Sequence, residues 1–220
     1  MLQRLKDILL TKGHVLYTRP YELNIVGMRS QNTISNRFDD EIHVFYRVGV
    51  LKWNYHVFKA TTDPGTYWLD HPMEPQGTAI LAQGQYRNAY AIGLHRGEYN
   101  ALVQVGPVTI IRDYDRRANF DLLNGTHETG VYGINIHHAA YNGTTTYVDE
   151  WSAGCQVFAN IDDFNFFMKL CEQHRQLYGN AFTYTLIDFR ALKRAGYRNL
   201  AMGATLLSLA LFTLYYYDND

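Results

Sequence analysis

A chain of 220 residues with a formal charge of -1 is long enough for one domain with a substantial core, and its evenly scattered charges offer no basic stripe, which sets nucleic-acid binding aside. Two cysteines, Cys155 and Cys171, cannot build the disulfide framework of a small secreted domain, so both are read as free thiols. The 18 tyrosines and 11 phenylalanines suit strands, interfaces or a surface for an amphipathic ligand.

The opening stretch MLQRLKDILLTKGH carries charges at Arg4, Lys6 and Asp7 and an apolar run too short for a signal peptide. Leu2, Leu5, Ile8 and Leu9 recur at helical spacing and predict a short amphipathic helix. In EIHVFYRVGV, alternation puts Ile42, Val44 and Tyr46 on one face and His43, Phe45 and Arg47 on the other, and WNYHVFKATT continues as strand. Pro64 and Gly65 in TTDPGTYWL are expected at the centre of a type II turn forming a hairpin corner. AYAIGLHRGEYNALVQVGPVTIIRD predicts three short strands broken at Arg96-Gly97 and Gly106-Pro107. Strands at this spacing suggest a sandwich or a partly closed barrel.

NIDDFNFFMKLCEQHRQLYG reads as the main helix. Asn160 is the cap, Asp162 and Asp163 favour the dipole, Gly179 ends it, and Phe164, Phe167, Met168 and Cys171 form one buried face. AFTYTLIDF follows as a closing strand. Leu200 to Tyr217 carry no charge and would span roughly 27 Å as a helix, against a bilayer core of roughly 30 Å. Segment 199–217 is accordingly expected to be a hydrophobic helix that anchors the chain in a membrane, with a buried or oligomer-forming helix as the alternative.

The chemistry concentrates in GINIHHAAYNGTTTYVDEWSAGCQVF. As neighbours on a strand, His137 and His138 must point to opposite faces, so one of them serves a given site. Ser152, Ala153 and Gly154 are too small to shield Cys155, which is expected on an edge strand or in a tight turn ahead of the helix. A free thiol is only a few per cent thiolate at neutral pH, so it needs an imidazole to take its proton. The amides of Gly154 and Cys155 would then stabilise a tetrahedral oxyanion. Adjacent strand histidines diverge and no second Cys/His pair has ligand spacing, so neither a metal nor a cofactor is expected. His14, His43, His56, His71, His95, His127 and His174 read as ordinary surface or hydrogen-bonded residues.

GINIHHAAY…WSAGCQVF resembles the catalytic motif of the L,D-transpeptidases (YkuD-like proteins), where a strand histidine is followed, after a loop, by a Ser-His-Gly-Cys segment and a helix. TTDPGTYWL is similar to that family's Thr-Pro-x-Gly-aromatic turn with one residue inserted. The resemblance implies a mainly β catalytic domain over residues 1–198, core about 41–189, of sandwich or barrel type with one main helix after the nucleophile. It implies Cys155 as nucleophile, His137 as general base oriented by the carbonyl of His138, and Ser152 and Gly154 as the first and third residues of the nucleophile segment. Two positions depart from the pattern: Ala153 replaces the second histidine, and Gln156 stands where arginine or asparagine is usual.

The implied partners are stem peptides of bacterial peptidoglycan, cut or joined after an L-centre of diaminopimelate, with hydrolysis slightly favoured because Ala153 alters the acceptor side. Membrane association is expected through 199–217 at the bacterial cell envelope. Arg194 and Arg198 before the segment would keep the domain cytoplasmic, which suits a phage lysis enzyme or a protein carried in a virus particle. Two other classes stay open: a silent wall-binding or structural protein on the same fold, and an unrelated cysteine peptidase or amidase.

Overall fold

The structure, a computed structural model, describes residues 1–32, 34–113, 117, 120 and 125–188. Among these residues the chain runs through α1 (Leu2–Thr11), β1 (Asn24–Arg29), β2 (Asp40–Arg47), β3 (Trp53–Thr61), α2 (Thr66–Asp70), β4 (Thr78–Leu81), β5 (Gly84–His95), β6 (Tyr99–Gln104), β7 (Val108–Asp113), β8 (Thr126–Gly130), β9 (Ile136–His138), a 3-10 turn (Asp149–Trp151), β10 (Gln156–Phe158), α3 (Ile161–Tyr178) and β11 (Phe182–Asp188).

Eight strands close into a barrel in the order β1-β11-β5-β6-β9-β10-β3-β2, while β4, β7 and β8 form a separate three-stranded sheet. The mainly β reading holds, and of its two forms the strands take the barrel. Most pairs are antiparallel; β1 with β11 and β9 with β10 are parallel.

Alternation builds the barrel from inside outward. Ile42, Val44 and Tyr46 of β2 enter the main core, joined by Ile25, Phe58, Tyr90, Ile136, Phe158 and Tyr184 from six other strands. Phe164, Phe167, Leu170 and Cys171 of α3 enter the same core. Asn160 caps α3 by accepting from the amides of Asp162 (2.8 Å) and Asp163 (3.1 Å). Cys171 is fully buried, a small core residue. On the outside, Leu5 and Leu9 of α1 cover Val26, Met28, Phe45 and Ile187.

Three expectations need correction. First, β1 lies upstream of the core boundary expected near residue 41, yet it closes the ring between β2 and β11. Its residues are buried throughout, Ile25 inside and Val26 and Met28 beneath α1, so no period-2 signal marks it. Second, Gly65 has φ -76° and precedes α2, so no type II turn or hairpin corner forms there. The glycine is needed for space: a Cβ on it would sit 1.9 Å from the carbonyl oxygen of Asp149. Third, of the two places expected for Cys155 the edge strand is not taken; the residue follows a bend at Ala153-Gly154. It leads into β10, which is flanked by β9 and β3. The expected hydrophobic helix at 199–217 lies outside the described residues; among the described residues no helix is long and apolar enough to cross a membrane.

Candidate active site

The parallel register of β9 and β10 assembles the site. Gln156 is opposite Ile136 and Val157 opposite His137, so Cys155 follows on opposite Asn135. Alternation then places Asn135, His137, Cys155 and Val157 on one face of the strand pair, and the barrel's curvature makes that face its outer surface. His138 takes the other face, with its ring centroid 4.2 Å from Tyr99 and 5.0 Å from Phe164 of α3. The opposite-face reading of the two histidines is what the backbone produces.

Cys155 is half-buried. Its Sγ accepts from the backbone N–H of Asn135 at 3.4 Å and donates to the carbonyl of Gly133 at 3.5 Å. Burial pushes the thiol up to about 11, opposed by the Asn135 amide and by Arg96. His137 is buried, and burial holds its imidazole down at about 3, with His95 adding to the effect. The resting pair is therefore a neutral thiol and a neutral imidazole. Nδ1–H of His137 donates to the carbonyl of His138 at 2.7 Å, which leaves Nε2 with the lone pair that a general base requires. Diagonal neighbours on one face of paired strands lie about 7–8 Å apart at Cα, within reach of an aromatic side chain.

The loop ahead of Cys155 is fixed from several sides. Ser152 is fully buried, and its Oγ donates to the carbonyl of Cys155 (2.8 Å) and accepts from the amide of Gly154 (3.2 Å). That second bond occupies one of the two amides expected to hold an oxyanion; the amide of Asn135, already at the sulfur, is a donor that the sequence did not reveal. The carbonyl of Ser152 accepts from Gly65 at 2.9 Å, and Trp68 Nε1 donates to the carbonyl of Glu150 at 2.9 Å, so α2 braces the 3-10 turn. Gly154 has φ +121°, and a Cβ there would stand 2.2 Å from the carbonyl oxygen of Ala79 in β4. Glycine alone fits both the dihedral and the gap.

Below this loop lies a buried polar cluster. Arg29 donates to Thr62 Oγ1 (3.1 Å) and to the carbonyls of Thr62 (2.9 Å) and Leu81 (3.0 Å), and it stands 2.8 Å from Asp63. Asp40 accepts from the amide and hydroxyl of Thr62, both at 2.7 Å. Gln156 is buried among these groups, where its amide bonds the carbonyl of Gly154. A charged side chain at this position would be aimed into the barrel and not at a substrate.

Beside the nucleophile segment a cavity of about 310 Å³ opens between α2 and the three-stranded sheet, lined by Trp68, Met73, Arg112, Tyr132 and Ala153 among others. Arg112 is held by Glu128 at 3.1 Å and lies over the Tyr132 ring. Ala153 thus makes wall area where a larger residue would intrude.

His95, Asn135 and Tyr99 are site neighbours that the sequence reading did not single out. The β5–β6 hairpin brings His95 opposite Tyr99. β6 in turn pairs with β9, which lays the His95 ring on His137 at a centroid distance of 4.1 Å and 20° between planes. No short-range signal in the sequence links residues 95 and 137; only the strand order does.

No family model, curated protein or solved structure matches the chain. The site offers a half-buried thiol, a buried imidazole whose Nε2 carries the lone pair on the adjacent strand, an amide at the sulfur and a cavity alongside.

Proposed function

We propose that this chain is a cysteine enzyme of L,D-transpeptidase type that forms an acyl-enzyme on stem peptides of bacterial peptidoglycan. The observation that carries the reading is that Cys155, leading into β10, lies on the same face as His137 of the adjacent parallel strand β9, the imidazole fixed by the His138 carbonyl so that Nε2 carries the lone pair. Sγ attacks the carbonyl carbon at the L-centre of diaminopimelate as the thiol proton passes to Nε2 of His137. Collapse of the tetrahedral adduct breaks the C–N bond, and His137 returns the proton to the departing D-residue amine. Water then cleaves the thioester, releasing a shortened peptide, or a second amine takes the acyl group. Hydrolysis is favoured because Ala153 stands in the place of the histidine on the acceptor side. In this reading the departing D-residue, and the acceptor amine that can replace it, lie toward the cavity that Ala153 lines. Segment 199–217 would hold the domain at the cell envelope, a setting consistent with phage lysis or entry.

The test is to incubate the full chain, and a Cys155→Ala version, with diaminopimelate-type muropeptides and read the products by mass spectrometry. Loss of a terminal D-residue, or a new crosslink, is expected only where Cys155 is intact; no product from either protein removes the enzyme reading. One observation favours the silent wall-binding alternative: burial pushes the Cys155 thiol up to about 11, opposite to the usual activation of a catalytic cysteine. That alternative requires Cys155 to react with alkylating agents no faster than the buried Cys171.

A further inference from the structure

The ring stacked on the base is a second histidine, and its hydrogen bonding fixes its charge state. His95 is buried, and its Nδ1 lies 3.1 Å from Nδ2 of Asn135. Asn135 Oδ1 is occupied by the backbone N–H of Gln104 at 2.8 Å, so the amide presents its NH₂ to the imidazole. An NH₂ group only donates; Nδ1 of His95 must therefore accept, and the ring is neutral. The backbone N–H of the same Asn135 is the one that reaches Cys155 Sγ.

The geometry points to His95 as a positioning residue that must be uncharged for Cys155 to react: its neutral face supports the His137 imidazolium, and its Nδ1 holds Asn135 against the sulfur. This assignment rests on the acyl-transfer reading for its purpose, but not for its test. When the thiol proton moves to Nε2 of His137, positive charge develops 4.1 Å below the face of a neutral ring, a favourable cation–π arrangement. A proton on His95 reverses the sign. Two positive rings at that spacing repel enough, at an effective dielectric of about 20, to suppress the transfer on the order of a thousandfold. A protonated Nδ1 would also face the Asn135 NH₂ donor to donor, and turning the amide would break its bond to Gln104.

The other groups facing His95 do not replace this effect. Arg96 opposes a proton on His95 and Glu98 favours one, both from the hairpin turn, and His138 on β9 opposes it. Tyr99 stands across the hairpin with its ring centroid 5.5 Å away. With burial, the sum lowers His95 below its ordinary 6.5.

The experiment measures the iodoacetamide rate at Cys155 from about pH 4.5 to 8, located by peptide mass spectrometry, in the full chain and in His95→Phe. In the reaction the S–C bond forms, iodide leaves, and the thiol proton goes to His137 and then to water. With the thiol at about 11, the rate is expected to fall about tenfold per pH unit from pH 8 downward, and about tenfold further per unit once His95 takes up a proton below 6.5. His95→Phe keeps an aromatic platform without a titrating nitrogen, and its shallower limb is expected to extend at least about one pH unit lower, a roughly tenfold higher relative rate at that pH. Superimposable acid limbs would overturn the assignment while leaving a reactive Cys155. A thiol no more reactive than Cys171 would overturn the acyl-transfer reading along with it. If His95→Phe does not fold, NMR titration of the His95 ring in the unaltered protein decides: the ring gaining its proton while the Cys155 rate keeps its tenfold-per-unit slope overturns the assignment.

Discussion

Tyr184 donates its hydroxyl hydrogen to Oε1 of Gln156 at 2.8 Å, and the nitrogen of the same amide donates to the carbonyl of Gly154 at 3.2 Å. β11 thereby reaches across the barrel interior to set the backbone one residue before Cys155. Gln156, which departs from the resemblance in sequence, is in this fold the link between the core and the nucleophile loop.

Removing the Tyr184 hydroxyl leaves Oε1 of Gln156 buried without that partner. Tyr184→Phe is expected to cost about 1–3 kcal/mol in urea unfolding, and to lower the Cys155 alkylation rate in the folded protein. An unchanged midpoint and rate would show the link to be idle.

Gly154→Ala meets both a left-handed backbone and the Ala79 carbonyl 2.2 Å from the new Cβ. Relief requires the loop or β4 to shift, so a loss of at least about 1–3 kcal/mol is expected. Thermal melting measures the loss, and Cys155 alkylation reports whether the loop has moved.

Ala153→Trp fills the cavity of about 310 Å³ from the wall nearest the nucleophile. Muropeptide turnover is expected to fall at least about tenfold, while iodoacetamide, too small to need the cavity, still alkylates Cys155. Equal loss of both reactions would mean that the loop, not the cavity, was damaged.

His137 makes the fold sensitive to acid. Its folded-state value of about 3 lies below the ordinary 6.5, so the unfolded chain binds the proton more readily. This contribution to stability is complete above 6.5 and is lost as pH falls toward 3, at about 1.4 kcal/mol per pH unit. Urea midpoints at pH 7 and 5 are expected to differ less in His137→Gln than in the unaltered protein.

Much of the fold is legible where polar residues mark the second face of an element, as His43 and Arg47 do in β2 although both of its faces are largely buried. β2 shows its alternation because Ile42, Val44 and Tyr46 meet the core, and α3 is marked by the Asn160 cap and its single apolar face. β1 is illegible because α1 buries its outer face as well, erasing the period. The site divides the same way. Cys155 and His137 stand out through local composition, whereas His95 and Asn135 owe their place to pairings between β5, β6 and β9 that no short window contains. Pro64-Gly65 misleads because the same dipeptide serves a turn dihedral in one context and, here, a close approach to Asp149.

The parallel pairing of β1 with β11 joins Ile25 to Tyr184, nearly the full length of the described chain. During synthesis the hairpins β2–β3, β5–β6 and β7–β8 can pair as they leave the ribosome, but the ring cannot close until residue 188 has emerged. Until then β1 and β5 each lack a neighbour, and such open edges are where other chains add. β9 and β10 are made before that point, so the Cys155 thiol exists on an unclosed sheet for the time it takes to translate α3 and β11. A nascent chain stalled after α3 would therefore carry a thiol without the Tyr184 contact that fixes its loop, and a sheet with two edges free to recruit a second copy.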